Sequence, residues 1–124
     1  MPNVRIVLVE DNRDDEELAL WSLKKAGVQE VTVARDGVEA LRLLLGEGER
    51  PPLRPELVLL DLRLPKIDGI EVLQQLRNDE RTRTLPVIIL TSSEDPHDKK
   101  LCTELGALAF LSKPLEANFL FPYL

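Results

Sequence analysis

The sequence predicts an α/β fold, a doubly wound parallel sheet of five strands in which a βα unit is repeated five times. Apolar runs of strand length alternate with segments of helical period, the pattern of a parallel sheet covered on both faces. The runs also stop abruptly at acids and hydroxyls. Leu57-Val58-Leu59-Leu60 meets Asp61, Val4-Arg5-Ile6-Val7-Leu8-Val9 meets Glu10-Asp11, and Leu85-Pro86-Val87-Ile88-Ile89-Leu90 meets Thr91-Ser92-Ser93. Burying an unpaired charge is strongly unfavourable, so these residues belong at the carboxyl edge of the sheet, where open α/β folds place their ligands. At 124 residues the chain fits one domain, 1–124, with a single core burying about two thirds of the unfolded surface.

Each element has its own signal. After the first strand, 4 to 9, Ala19, Leu23 and Ala26 fall on one helical face; Leu20 flanks it, and Trp21 points away as a flank or interface residue. Gly27 stops that helix. A short strand, 31 to 34, precedes Asp36, placed to cap a helix whose apolar face is Val38, Leu41, Leu44 and Leu45. Residues 46 to 55, with two glycines and three prolines, read as a long connecting loop. The third strand, 57 to 61, leads to a helix opening near Gly69 with Val72, Leu73 and Leu76 inward, and Asp68 serves a turn with Gly69. The fourth, 86 to 91, leads to a helix carrying Leu101, Cys102 and Leu105, with His97 on the surface of its first turn and Gly106 ending it. The fifth, 108 to 111, runs through Ser112-Lys113-Pro114 into an apolar segment, 115 to 124. Pro122 would break a helix there, so the last helix is short. Phe119, Leu120, Phe121, Tyr123 and Leu124 are too apolar to leave bare; a homodimer burying this end, by the fourth and fifth helices or by arm exchange, is expected.

Composition narrows the function. Sixteen basic against twenty-two acidic side chains give a net charge of −6, which argues against nucleic acid and favours a protein or a cation as partner. Cys102 is the only cysteine, so an internal disulfide or a cysteine zinc cluster is excluded and a reducing cytoplasm is the natural compartment. It reads as a small buried hydrophobe. No stretch approaches the ~20 apolar residues of a membrane span, and Met1-Pro2-Asn3 lacks the features of a signal peptide. A cytoplasmic protein without membrane association is expected.

Right-handed crossovers would gather Glu10, Asp11, Asp61, Thr91 and Lys113 at one sheet edge. Carboxylates without cysteine or histidine partners make a hard oxygen site suited to Mg²⁺. Lys113 supplies a point charge for an anion and Thr91 a hydrogen bond. Together they describe a site for a Mg²⁺-bound phosphoryl group, with Asp61 able to accept it covalently. Seen alone, Glu10-Asp11 would also suit a solvated helix cap, and Asp14, Asp15, Glu16 and Glu17 read as a favourable first-turn charge run rather than as metal ligands. Nothing basic stands beside Thr91, Ser92 and Ser93 to make a nucleophilic triad.

Four stretches in this order, Leu8-Val9-Glu10-Asp11-Asn12, Asp61-Leu62-Arg63-Leu64-Pro65-Lys66-Ile67-Asp68-Gly69, Leu90-Thr91-Ser92 and Phe110-Leu111-Ser112-Lys113-Pro114, resemble the response-regulator receiver domain of two-component signalling. The likeness covers essentially the whole chain. It implies a flavodoxin-like strand order, 2-1-3-4-5, and a phosphoacceptor, not an enzyme, that takes its phosphoryl group from a histidine kinase and promotes its own phosphoryl transfer and dephosphorylation. By this resemblance Asp61 is the acceptor; Asp11, Asp61 and the main-chain carbonyl of Arg63 hold Mg²⁺, with Glu10 acting through metal-bound water. Thr91 is similar to the hydroxyl residue that moves onto the phosphoryl oxygen, Lys113 to the lysine that pairs with it, and Phe110 to the aromatic switch. Pro114 follows a bond that is usually cis in the family. The finer resemblance, through Asp36-Gly37-Val38-Glu39-Ala40-Leu41 and the lengthened 46 to 55 loop, is to stand-alone regulators that partner phytochrome-type kinases. With no output domain following, the output would be a contact of this surface itself.

Phenylalanine at 110 lacks the hydroxyl of the more frequent tyrosine, and Arg63 and Ser93 occupy positions that in the family tune water access to the acyl phosphate. Two rival readings are an aspartate-nucleophile phosphatase, which wants a second acid where Arg63 stands, and a flavodoxin-like electron carrier. The latter needs a hydroxyl-rich phosphate loop where Glu10-Asp11-Asn12 stands.

Overall fold

Strands buried on both faces form the centre of the molecule. The computed structural model describes residues 4–124, so the reading of Met1-Pro2-Asn3 lies outside the described residues. In chain order the elements are β1 (Arg5–Val9), α1 (Arg13–Lys25), β2 (Glu30–Ala34), α2 (Gly37–Leu45), β3 (Leu57–Leu60), α3 (Gly69–Asn78), β4 (Val87–Thr91), α4 (Pro96–Glu104), β5 (Ala109–Ser112) and α5 (Ala117–Leu120), followed by a 3₁₀ turn, Phe121–Tyr123. All pairings are parallel, in the order β2-β1-β3-β4-β5. The doubly wound, flavodoxin-like arrangement expected from the sequence is the one found.

Alternation within the strands divides the core in two. Val7, Val9, Val58, Leu60, Val87 and Ile89 meet α2, α3 and α4 through Ala40, Leu44, Val72, Leu73, Leu76 and Cys102. Ile6, Leu8, Leu57, Leu59, Ile88 and Leu90 meet Ala19 and Leu23 of α1 and Leu115 and Leu120 at the C-terminal end. Ser22 fastens α1 to that end by donating its hydroxyl to the Leu115 carbonyl at 2.6 Å.

Some sequence expectations shift. β3 ends at Leu60, with Asp61 one residue beyond it, and β5 lies one residue later than expected. In α2 the buried residues are Gly37, Ala40 and Leu44, while Val38, Leu41 and Leu45 are half-buried. At the start of the helix the reason is close approach: a Cβ at Gly37 would run into the Ile67 carbonyl oxygen, so only glycine fits inward there. Of the C-terminal apolar residues Leu120 is buried, whereas Phe119, Phe121, Tyr123 and Leu124 are exposed. Pro122 falls in the 3₁₀ turn, and α5 is a single turn of four residues. Trp21 is exposed, as expected, with the Lys25 ammonium 5.5 Å from its ring centre.

Every long helix starts at the carboxyl edge of the sheet with a side-chain cap. Asn12, Asp36, Asp68 and Asp95 accept hydrogen bonds from the main-chain N–H groups of Asp15, Glu39, Glu71 and His97. Asp68 is therefore the cap of α3 rather than part of a simple turn with Gly69, and Asn12, not Glu10 or Asp11, caps α1. At the opposite edge Arg77 ties three segments together. Its guanidinium donates to the carbonyls of Leu105, Leu85 and Gly106 at 2.7, 2.9 and 3.2 Å.

Gly69 sets the depth at which α3 docks. Its N–H donates to the Leu62 carbonyl at 3.0 Å, and a Cβ there would stand 2.2 Å from the Asp61 carbonyl oxygen. Gly69→Ala is expected to displace α3 from the Asp61 backbone and to lower stability by about 2 to 3 kcal/mol, measured by urea denaturation.

Candidate functional site

The ends of β1, β3, β4 and β5 converge because parallel strands in register all emerge at one edge. β1 delivers Glu10 and Asp11, β3 Asp61, β4 Thr91, and β5 Lys113 one residue past its end. Glu10, Asp61 and Thr91 are buried, at 1, 4 and 0% exposure, while Asp11 is open to solvent.

Lys113 is the hub. Its ammonium lies 2.6 Å from Glu10 Oε1, 2.8 Å from Asp15 Oδ2 and 2.8 Å from Asp61 Oδ2. Glu10 Oε2 accepts the Asn12 N–H at 3.1 Å, and Asp61 Oδ1 accepts the Arg63 N–H at 3.3 Å. Thr91 Oγ1 accepts the Ser93 N–H at 3.1 Å. The Lys113–Pro114 peptide is cis. Phe110, paired in register with Ile89, is half-buried against the α2, α3 and α4 side of the core.

Burial pushes the Glu10 carboxyl above its ordinary pKa, the neighbouring Asp61 charge adds to this, and the bonds from Lys113 and Asn12 oppose it. Burial acts against the charge of Lys113, yet its bonds to Asp15, Asp61 and Glu10 hold its pKa well above the ordinary lysine value. Away from this edge Cys102 is a buried thiol, pushed up to about 11 by burial and by the charge of Asp98.

One carboxylate oxygen each from Glu10, Asp11 and Asp61 lies within 4.8 Å of the others. Three oxygen donors with no nitrogen or sulfur fit a small hard divalent cation. Two of the three are buried while Asp11 faces water, which leaves a route in. The site is shallow; a hollow of about 230 Å³ lies at the far edge of the sheet between Leu44, Leu53 and Leu85, remote from these acids. A phosphoryl group needs no deep cavity.

The residues gathered by sequence reasoning thus do come together, and others join them. Asp15, which the sequence places in a favourable first-turn charge run, belongs to the cluster through Lys113. Glu16 of that run is buried and pairs with Arg35 at 3.1 Å, and Asp14 and Glu17 are exposed. The signal that could have found Asp15 is its place in the first turn of α1, beside the strand end that carries Asp11. Asp98, in the first turn of α4, carries no sequence signal that ties it to this edge. It accepts the Ser93 hydroxyl at 2.9 Å and lies 3.7 Å from the Arg63 guanidinium.

A sequence model of the response regulator receiver domain matches residues 6–123. The chain belongs to this family. It is 39% identical over 119 residues to the response regulator Rcp1 of Synechocystis sp., covering 94% of this chain and 80% of that protein. Among solved structures, the bacteriophytochrome response regulator AtBRR superposes with a TM-score of 0.86 at 46% identity, over 99% of this chain and 91% of that one. The phosphorylated cyanobacterial phytochrome response regulator RcpA gives 0.84 at 37% identity, covering 98% and 88%. A structure of Rcp1 in its Mn²⁺-bound form gives 0.82 at 36% identity, covering 96% and 87%. The chain is accordingly a receiver domain of two-component signal transduction, a module that works with histidine kinases. These relatives do not favour the phosphatase or electron-carrier readings. No helix among the described residues is long and apolar enough to cross a membrane.

Removing the hub should expose the crowding it relieves. Lys113→Met is expected to lose about 3 kcal/mol of stability in metal-free buffer, because it leaves buried carboxylates uncompensated. Millimolar Mg²⁺ should raise the melting temperature of this variant more than that of the wild type, as followed by thermal melts with chelator and with Mg²⁺.

Proposed function

We propose that residues 1–124 form one receiver domain in which Asp61 is the phosphoacceptor, loaded from a histidine kinase in the presence of Mg²⁺. The observation that carries this is the setting of Asp61. Its carboxylate stands at the mouth of a buried strand, one oxygen on the Lys113 ammonium and the other on the Arg63 amide, within reach of two further acids.

Glu10, Asp11 and Asp61, with the main-chain carbonyl of Arg63, are the groups that would hold the metal. Bound there, Mg²⁺ would neutralise the acids and offset the charge of the incoming phosphoryl group. The residues do the rest. An Asp61 oxygen attacks the phosphorus of the phosphohistidine, the N–P bond breaks, and the imidazole keeps the electron pair. Lys113, already 2.8 Å from Asp61 Oδ2, follows the new charge onto a phosphoryl oxygen. Thr91 leaves the Ser93 amide and donates its hydroxyl to the same group. That vacates room into which Phe110 turns, so a local change of charge becomes a change of surface. Release is hydrolytic: water attacks the acyl phosphate in a site whose access is set by Arg63 and Ser93, and the domain thereby promotes its own dephosphorylation.

The likeness to bacteriophytochrome and cyanobacterial phytochrome regulators supports a phytochrome-type kinase as donor. An excess of acidic side chains, net −6, supports a protein rather than nucleic acid as the target. The solitary buried Cys102 supports a reducing cytoplasm. Exposed Phe119, Phe121, Tyr123 and Leu124 support a homodimer that covers the C-terminal segment. Since α5 is a single turn, that contact rests on the apolar tail together with α4 more than on a fifth helix.

Incubation with acetyl phosphate and Mg²⁺ is expected to add a single phosphoryl group of roughly 80 Da to the wild type and none to Asp61→Asn, read by intact mass spectrometry. An adduct that persists in Asp61→Asn would overturn the assignment. Light scattering after size exclusion is expected to give twice the 14.0 kDa chain mass; a monomer in concentrated samples would sink the dimer.

A further inference from the structure

Asp98 makes no hydrogen bond or ion pair to Asp61, Thr91 or Lys113, yet two short paths lead from it into the site through Ser93 and Arg63. Its Oδ2 accepts the Ser93 hydroxyl at 2.9 Å, and the Ser93 N–H in turn donates to Thr91 Oγ1 at 3.1 Å. The same oxygen lies 3.7 Å from Arg63 Nη2, and the Arg63 N–H donates to Asp61 Oδ1 at 3.3 Å. A carboxylate in the first turn of α4 thus reaches both the acceptor and the hydroxyl that must move.

We propose that Asp98 is a positioning residue, a latch that holds the β4–α4 loop and Arg63 in the unphosphorylated arrangement and lets go when charge builds on Asp61. The proposal rests on the reading of Asp61 as acceptor. Thr91 Oγ1 accepts the Ser93 N–H and the Ser93 hydroxyl is held by Asp98, so a turn of Thr91 toward a phosphoryl oxygen has to break that bond or carry Ser93 away from Asp98. Phosphorylation exchanges one negative charge for about two close to Arg63. The side chain of Arg63 is 71% exposed and lies at the limit of ion-pair distance from Asp98. An acyl phosphate competes with Asp98 for that guanidinium on favourable terms. Asp98, itself only 15% exposed, is left with Ser93 alone. The loop and the first turn of α4 then loosen together, which couples the chemistry at β3 to a helix whose outer face meets solvent.

The test uses the full chain with Mg²⁺ and beryllofluoride, a tetrahedral mimic of the phosphoryl group. Affinity is read by ¹⁹F NMR and the hold on Thr91 by hydrogen exchange at the Ser93 amide. Opening the latch favours the arrangement that binds the mimic, so Asp98→Ala is expected to bind about 3- to 10-fold more tightly, with faster Ser93 exchange in the free protein. Asp98→Asn still accepts from Ser93 but lacks the charge for Arg63, and should fall between the two. Ser93→Ala combined with Asp98→Ala should bind no more tightly than Asp98→Ala alone, as expected of partners in one path. Wild-type affinity in Asp98→Ala, accompanied only by a lower melting temperature, would reduce Asp98 to a favourable helix-start charge and overturn the latch. So would a gain in affinity from Ser93→Ala alone that adds in full to that of Asp98→Ala in the double variant. Failure of the wild type to bind beryllofluoride, with no phosphoryl adduct on Asp61, would overturn the reading beneath it as well.

Discussion

One ammonium shared among three carboxylates organises this molecule. Lys113 starts at the end of an edge strand, and the acids it meets start two and three strands away, at Asp61 and Glu10. With strands spaced about 4.8 Å apart, those gaps are about 10 and 14 Å, within reach only if long side chains lean toward each other over the strand between. For Asp61 that strand is β4, which ends in the buried Thr91; for Glu10 both β3 and β4 lie between.

The same arrangement explains how buried acids are tolerated. Glu10 and Asp61 are nearly inaccessible, and each is satisfied by the lysine and by one main-chain amide. The capped first turns of the long helices point their partial positive charge at this edge. Even so, Glu10, Asp11, Asp15 and Asp61 face a single ammonium. An excess of negative charge in a shallow site is what makes it receptive to a divalent cation, and what makes a phosphoryl dianion unwelcome without one.

Most of this architecture is written locally. Continuous apolar strands, Gly27 and Gly106 after helices, and Asp36 before one are short-range signals, and each is found where the residues place it. What escaped is long-range. Nothing in Asp14-Asp15-Glu16-Glu17 says which acid turns toward β5, because that depends on the angle at which α1 packs on the sheet; Asp15 meets Lys113, 98 residues away. Asp98 reads as an ordinary first-turn acid until α4 is placed beside the β3–α3 loop that carries Arg63. Gly37 and Ala40 are buried in the α2 interface beside Leu44 because Gly37 lies against Ile67, a contact that no periodicity encodes. The site was legible where it is made of strand ends and illegible where it is made of helix faces.

The Arg77 knot gives α4 a particular freedom. Its carbonyl partners, Leu105 and Gly106 just past the helix and Leu85 before β4, clamp one end of α4 to α3 and the sheet. The other end follows the β4–α4 loop and is tied by Asp98 to Ser93 and, at 3.7 Å, to Arg63. Once Asp98 lets go, as proposed above, the helix is a rod fixed at one end only, and such a rod swings rather than slides. Over a nine-residue helix, about 13 Å long, a 2 Å shift at the free end is a tilt of about 9°. The helix is thus a lever whose fulcrum is an arginine on the far side of the molecule from the chemistry.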